Sequence, residues 1–131
     1  MATLYVPYYG QLRFKVSGVV AVGDGQFRDV PPDDGEVITY GGFLETLGGG
    51  AGTSTDVQIR NASKTPDEDL FSVLPVFEVD TATGELEGGE LIASPKFNAG
   101  DIFWLDADAI STAPANMHVW LVCRFFREVR V

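Results

Sequence analysis

Asp106 and Asp108 are the residues whose type and spacing most invite a catalytic reading. Alternate positions on an extended chain set both carboxylates on one face, roughly 7 Å apart by strand rise, a separation that a glycosidase pair adopts. Alternating Asp on a strand is also the ordinary pattern of a solvated face, and no second signal marks a cleft, so surface use is the expectation. His118 is the chain's one histidine. The metal centres of double-stranded β-helix enzymes take two His and a carboxylate, and a zinc site would have only His118 and Cys123 on the same strand. His118 is expected as a half-exposed strand residue and Cys123 as packing. Two acidic groups, Asp67-Glu68-Asp69 and Asp29 with Asp33 and Asp34, offer loop oxygens suited to Ca²⁺, yet neither has the spacing of an EF-hand loop. They are expected to be exposed loop charge. No Ser sits in GxSxG, and the Gly48–Gly52 run GGGAG lacks the Lys-Ser/Thr of a phosphate loop. These residues predict no enzyme, no cofactor and no metal.

The elements that carry them are strands. Asn98-Ala99-Gly100-Asp101 is a turn signal, followed by an extended run from Ile102 to Ile110 with Phe103, Leu105, Ala107 and Ala109 on a core face and Ile102, Trp104, Asp106 and Asp108 opposite. After the Ser111–Asn116 loop, Met117, Val119, Leu121, Cys123 and Phe125 line a second core face. Its reverse, His118, Trp120, Val122, Arg124 and Phe126, is mixed and requires cover from another layer, an N-terminal segment or a neighbouring subunit. Upstream, Leu4 to Tyr9 reads as extended, and Leu12, Phe14, Val16, Val20 and Val22 share a face around Gly18, a candidate bulge. The stretch from Gly23 to Glu36 reads as a loop with a short edge strand at Phe27 to Val30. Val37 to Tyr40 is apolar, and Gly41 to Gly52 suits one helical turn or a bent strand, of which the strand is favoured. Val57 and Ile59 point inward with Asp56, Gln58 and Arg60 outward; Leu70 to Val79 is a strand interrupted by Pro75, and Leu91 to Ala93 pairs before Pro95. About eight strands result, the count of an all-β, antiparallel two-sheet sandwich, with residues 1–10 as an extended arm and 11–131 as a single domain.

Composition agrees. The chain has 131 residues, one domain's worth, with 15 Gly and 7 Pro and no long helical pattern. Nineteen acidic against nine basic residues give a net charge of −10, which opposes nucleic-acid binding and adsorption to anionic membranes. A single cysteine excludes an intrachain disulfide. The start MATLYVPYYG has neither the basic nor the long apolar part of a signal peptide, so the chain is expected to be made in the cytoplasm and to stay soluble. The aromatics remain. Trp104, Trp120, Tyr5, Tyr8 and Tyr9 suit partner pockets or sugar stacking, with subunit or domain packing favoured for the two Trp and an arm docking on a neighbour for the Tyr cluster.

The order GAGTSTDVQIRN, a loop, and then FNAGDIFWLDADAISTAPANMHVWLVCRF resembles small bacteriophage structural proteins with a jelly-roll fold; Val37 to Phe126 carries the likeness. The resemblance implies a non-enzymatic virion component, a homotrimeric decoration or cement protein on the capsid surface, synthesised in the host cytoplasm and partnered by the major capsid protein. Similar modules head tail fibres and tailspikes, so the alternative is a receptor- or glycan-binding head. It supplies no catalytic residues. Leu4, Tyr5, Val6, Tyr8, Tyr9, Trp104, Trp120 and Phe126 are the expected interface residues. FEVDTATGELEGGE and the acidic PDED loop depart from the pattern.

Overall fold

Period-two alternation decides the two longest strands, because Leu12 and Phe14 on one, and Met117, Val119, Leu121, Cys123 and Phe125 on the other, are all buried on one side of the backbone. The computed structural model describes residues 2–80, 83–93 and 95–131; Thr81 and Ala82 of the turn expected around 80–85, and Ser94, lie outside them. Eleven strands follow in chain order: β1 (Thr3–Val19), β2 (Gly23–Asp29), β3 (Asp34–Thr46), β4 (Ser54–Asn61), β5 (Glu68–Asp69), β6 (Phe71–Val73), β7 (Val76–Glu78), β8 (Glu90–Leu91), β9 (Lys96–Phe97), β10 (Phe103–Ala109) and β11 (Ala115–Arg130). No helix occurs among the described residues. The count exceeds the expected eight because Leu74-Pro75 divides the apolar run after Leu70 and several pairings last only two or three residues. Gly41 to Thr46 is strand, the favoured reading, as the second half of β3.

All the pairings are antiparallel. One sheet has the order β1-β11-β3-β9 and the other β2-β10-β4-β5, with β7 also on β4 and β6-β8 as a separate pair. Early and late strands alternate across each sheet, so the chain crosses from sheet to sheet between β1 and β2, β2 and β3, β3 and β4, and again through β9, β10 and β11. The four-stranded sheet is called sheet A below, and the one containing β10 sheet B. Their inner faces meet through Phe14, Ile59, Phe77, Phe103, Leu105 and Leu121, none more than 1% exposed. Aromatic rings tie the sheets at one end: Phe103 of sheet B meets Phe97 edge-on at 5.5 Å, Phe97 meets Phe125 at 5.7 Å, and Phe125 stacks on Tyr8 at 5.1 Å. A Cβ on Gly10 would lie 2.8 Å from the Phe125 ring, so that close approach needs glycine.

The outward reading of Gln58 is corrected. Its side chain is buried because β4 pairs with β7 at Ser54–Asp56 and with β5 at Arg60–Asn61, leaving a gap between them that the amide fills. Gln58 Nε2 donates to the Phe71 carbonyl at 3.0 Å, and its Oε1 accepts the Phe71 N–H at 3.1 Å. The side chain thus replaces a strand partner.

The Leu4 to Tyr9 segment is the first half of β1, paired without a break from Thr3 opposite Arg130 to Val16 opposite Met117. Register slips after Val16, where Gly18 takes φ 77° and its N–H is held by Asn116 Oδ1, the bulge that Gly18 predicted. Since β3 pairing ends at Asp34 opposite Phe126, Thr3–Val6 and the last residues of β11 run on as a two-stranded ribbon. Among the described residues the other edge of β1 has no paired strand; there Arg13 N–H is capped by Asp29 Oδ2 at 3.0 Å, and Pro7, of the same parity, has no N–H. On the far side of the sandwich, the insertion-like stretch is a seam: Glu85 bridges Phe43 of β3, Glu87 bridges Val76 of β7, and Leu86 between them is buried.

Candidate functional site

Strand parity sends one row of sheet A outward: Tyr5, Pro7, Tyr9, Gln11, Arg13 and Lys15 on β1, with Phe126, Arg124, Val122, Trp120 and His118 on β11. Tyr5 and Tyr9 are 64% and 70% exposed. Trp120 lies opposite Gly41, over whose backbone its indole is laid; a Cβ on Gly41 would fall 2.5 Å from the ring. Phe43 stacks on His118 with centroids 4.3 Å apart and lies 6.4 Å from Trp120. His118 Nε2 stands 3.6 Å from Glu45. Together with Arg13, Lys15 and Phe27 these rings line a groove of about 460 Å³.

Trp104 is elsewhere. It faces outward from sheet B, opposite Arg28 on one neighbouring strand and Arg60 on the other, and both guanidiniums lie over its ring at 5.5 and 5.7 Å. Gly25 packs on its edge. The structure therefore brings Tyr5, Tyr9, Trp120 and Phe126 onto one surface and sets Trp104 on the opposite one. Leu4 and Val6 point to the core side of the ribbon yet stay exposed, because sheet B does not reach that far. Tyr8, on the same side, is half-buried: its hydroxyl donates to Asp33, which raises the phenol above its ordinary value, and Arg127 lies over its ring at 4.9 Å.

Asp106 is a correction to the solvated-face expectation. It is 4% exposed, and both oxygens are engaged: Oδ1 accepts Gly25 N–H at 2.7 Å and Oδ2 accepts Arg60 Nε at 3.0 Å. Burial outweighs these partners and lifts its carboxyl above the usual range. Its role is to anchor Arg60 beside Trp104, and Asp67 holds the same guanidinium at 2.6 Å. Asp108 is exposed. Its carboxyl is also raised, first by partial burial and then by the carboxylates of Asp106, Asp24, Asp69 and Asp56. A folded value above the unfolded one gives stability that is complete at low pH and lost as pH rises through the folded value. Asp108→Asn is therefore expected to stabilise the chain at pH 7 by about 0.5 kcal/mol, allowing for solvent screening, and to lose that advantage below about pH 4. Melting curves across pH check this; parallel curves for the two proteins would contradict it.

Most members of the two acidic groups are spent on structure. Glu68 pairs with Lys64, Asp29 caps β1, Asp33 holds Tyr8, and Asp34 accepts the Ala99 N–H. Cys123 is fully buried, which pushes its thiol up to about 12. Sequence reasoning missed Arg13, Lys15 and Phe43 as partners of Trp120. The available signal was parity: with Leu12 and Phe14 inward, Arg13 and Lys15 must share the outer face.

No family model matches the chain, and no curated protein does. Among solved structures it is similar to a chain from the acidic stable capsid structure of Helicobacter pylori bacteriophage KHP30, at 16% identity over 99% of this chain and 98% of that one, with a TM-score of 0.39. That score is too low to establish a common fold.

Proposed function

We propose that this chain is a non-enzymatic structural component of a bacteriophage virion, a decoration protein of jelly-roll type that binds the major capsid protein on the outer shell. The observation that carries the binding role is the surface shared by Tyr5 and Tyr9, exposed, and Phe126, half-buried, aromatic side chains along a ribbon that runs beyond the third strand of sheet A. Support for the jelly-roll reading comes from strand order: β1-β11-β3-β9 facing β2-β10-β4-β5 is the interleaving that two nested Greek keys produce. Asp106, with both oxygens committed, is not free for acid–base work.

Such a protein stabilises a shell through binding energy. Leu4, Tyr5, Val6, Tyr9 and Phe126 provide apolar area at one end of the molecule, and Arg124, held 5.2 Å over Phe126, adds a donor at its rim. Trp104 and Trp120 point in opposite directions, so a single flat contact takes at most one of them. Cosedimentation with shells lacking this subunit tests the reading. Saturable binding that raises the disruption temperature of the shell is the expected result, and Tyr5→Ala/Tyr9→Ala should weaken it about tenfold or more. Binding to host cells or glycans without shell binding would place the protein in the tail apparatus instead.

A further inference from the structure

The nine basic residues of the chain are not used alike. Arg60, Arg127, Arg130 and Lys64 pair with carboxylates, while Arg28 and Arg124 lie over aromatic rings. Among the described residues, Lys96 stands beside Asp34 and Glu36, and Arg13 and Lys15 stand together on sheet A with side chains in no ion pair, the Asp29 carboxylate meeting only the Arg13 backbone N–H. Arg13 Nε reaches only Gln11 Oε1, at 3.1 Å. These two cations rim the groove floored by Trp120 and Phe43 and flanked by Phe27, whose ring is 42% exposed. In a chain with a net charge of −10, this groove is cationic and aromatic, as is the Trp104 site with Arg28 and Arg60.

The opposite surface is its complement. On the outer side of sheet B, Asp24 of β2, Asp56 of β4 and Asp108 of β10 converge where Ala107 pairs with Gly23 and Ala109 with Asp56. Among the described residues none of the three forms an ion pair, and Val22, 59% exposed, adjoins Asp24. Burial first, and then the neighbouring carboxylates, raise the Asp108 carboxyl, and cations arriving from outside relieve the second of these.

We propose that the Arg13–Lys15–Trp120 groove of one copy docks the Asp24–Asp56–Asp108 surface of a second copy. The two patches lie on opposite sheets of the same sandwich, so the contact is heterologous: each copy uses its groove once and its acidic surface once. Repeated, such a contact makes a ring where its rotation closes and an open filament where it does not. A second copy is the occupant favoured by charge, because every copy brings carboxylates for the unpaired Arg13 and Lys15 side chains, beside apolar Val22 for the aromatic floor. The ribbon stays free for another partner, and the assembly does not depend on what that partner is.

Sedimentation velocity on the full chain tests this without a shell. The wild type is expected to be an oligomer at low salt that dissociates as salt is raised. Arg13→Glu/Lys15→Glu should weaken assembly by at least about 100-fold, Asp24→Lys/Asp108→Lys should do the same, and mixing the two variants should restore association through the one contact whose charges then match. Cooperative melting of the single-patch variants shows that they are folded. A wild type that is monomeric at all concentrations overturns the proposal, whether or not the groove takes up a glycan or an acidic peptide. So does an oligomer indifferent to both charge reversals. Loss of shell binding with assembly intact would count against the decoration role alone.

Discussion

Phe103→Ala is expected to cost about 4 kcal/mol and lower the melting temperature by about 15 °C. Phe103 is wholly buried on β10 and is the sheet B member of the ring series that continues through Phe97 and Phe125 to Tyr8. Truncation removes the transfer energy of the ring and leaves a cavity that two strands, each fixed by neighbours on both sides, cannot close. The damage should spread in one direction. Phe125 and Tyr8 lose support beneath them, and Tyr8 fastens β1 to Asp33 where the ribbon leaves the body. Phe103→Leu, which refills most of the space, is expected to recover more than half of the loss. Urea unfolding at constant slope measures both; a loss under about 1 kcal/mol for the alanine variant would mean that Phe97 moves into the gap and the series is not rigid.

Gln58→Leu should cost about 3 kcal/mol although leucine is the more apolar residue. Among the described residues the amide is the partner of the Phe71 N–H and C=O at the gap between β7 and β5, and leucine takes both bonds away from buried groups. Phe71 also packs edge-on against Tyr40 at 5.0 Å, so its displacement reaches β3. Gln58→Glu separates hydrogen bonding from shape. An ionised glutamate still accepts the N–H but repels the carbonyl, which raises its folded pKa above the unfolded value. The variant should thus gain stability relative to wild type as pH falls and lose it as pH rises through that folded value. Equal pH dependence in the two proteins would show that Gln58 only fills space.

Much of this fold was legible because β10 and β11 are written in period two with large apolar residues. Met117 to Phe125 alternate without exception, and their reverse face, expected to need cover from another layer, an N-terminal segment or a neighbouring subunit, is half-exposed in the single chain. Pro75 marked the division of the run after Leu70, and Gly18 marked the bulge. What stayed hidden depends on distant partners. Asp106 reads as a surface residue until Gly25, 81 positions away, and Arg60 close over it. Gln58 reads as outward until Phe71 arrives. The two Trp residues show a different limit: parity states that each opposes the core, but only the topology puts β10 and β11 in different sheets, and so turns one expected surface into two. Arg13 and Lys15 were readable as outward, yet their lack of ion pairs becomes visible only once every other cation has found its partner.

The uncovered edge of β1 has a consequence for how copies avoid one another. A straight strand of 17 residues with a bare backbone edge would nucleate fibres, each molecule templating the next without end. Pro7 and the Asp29 cap punctuate the row of donors at two points, so that no long ladder can grow there. Polymerisation through the backbone is thereby discouraged, while side-chain recognition remains open. A finite assembly, one that counts its members and stops, is the outcome such an edge permits.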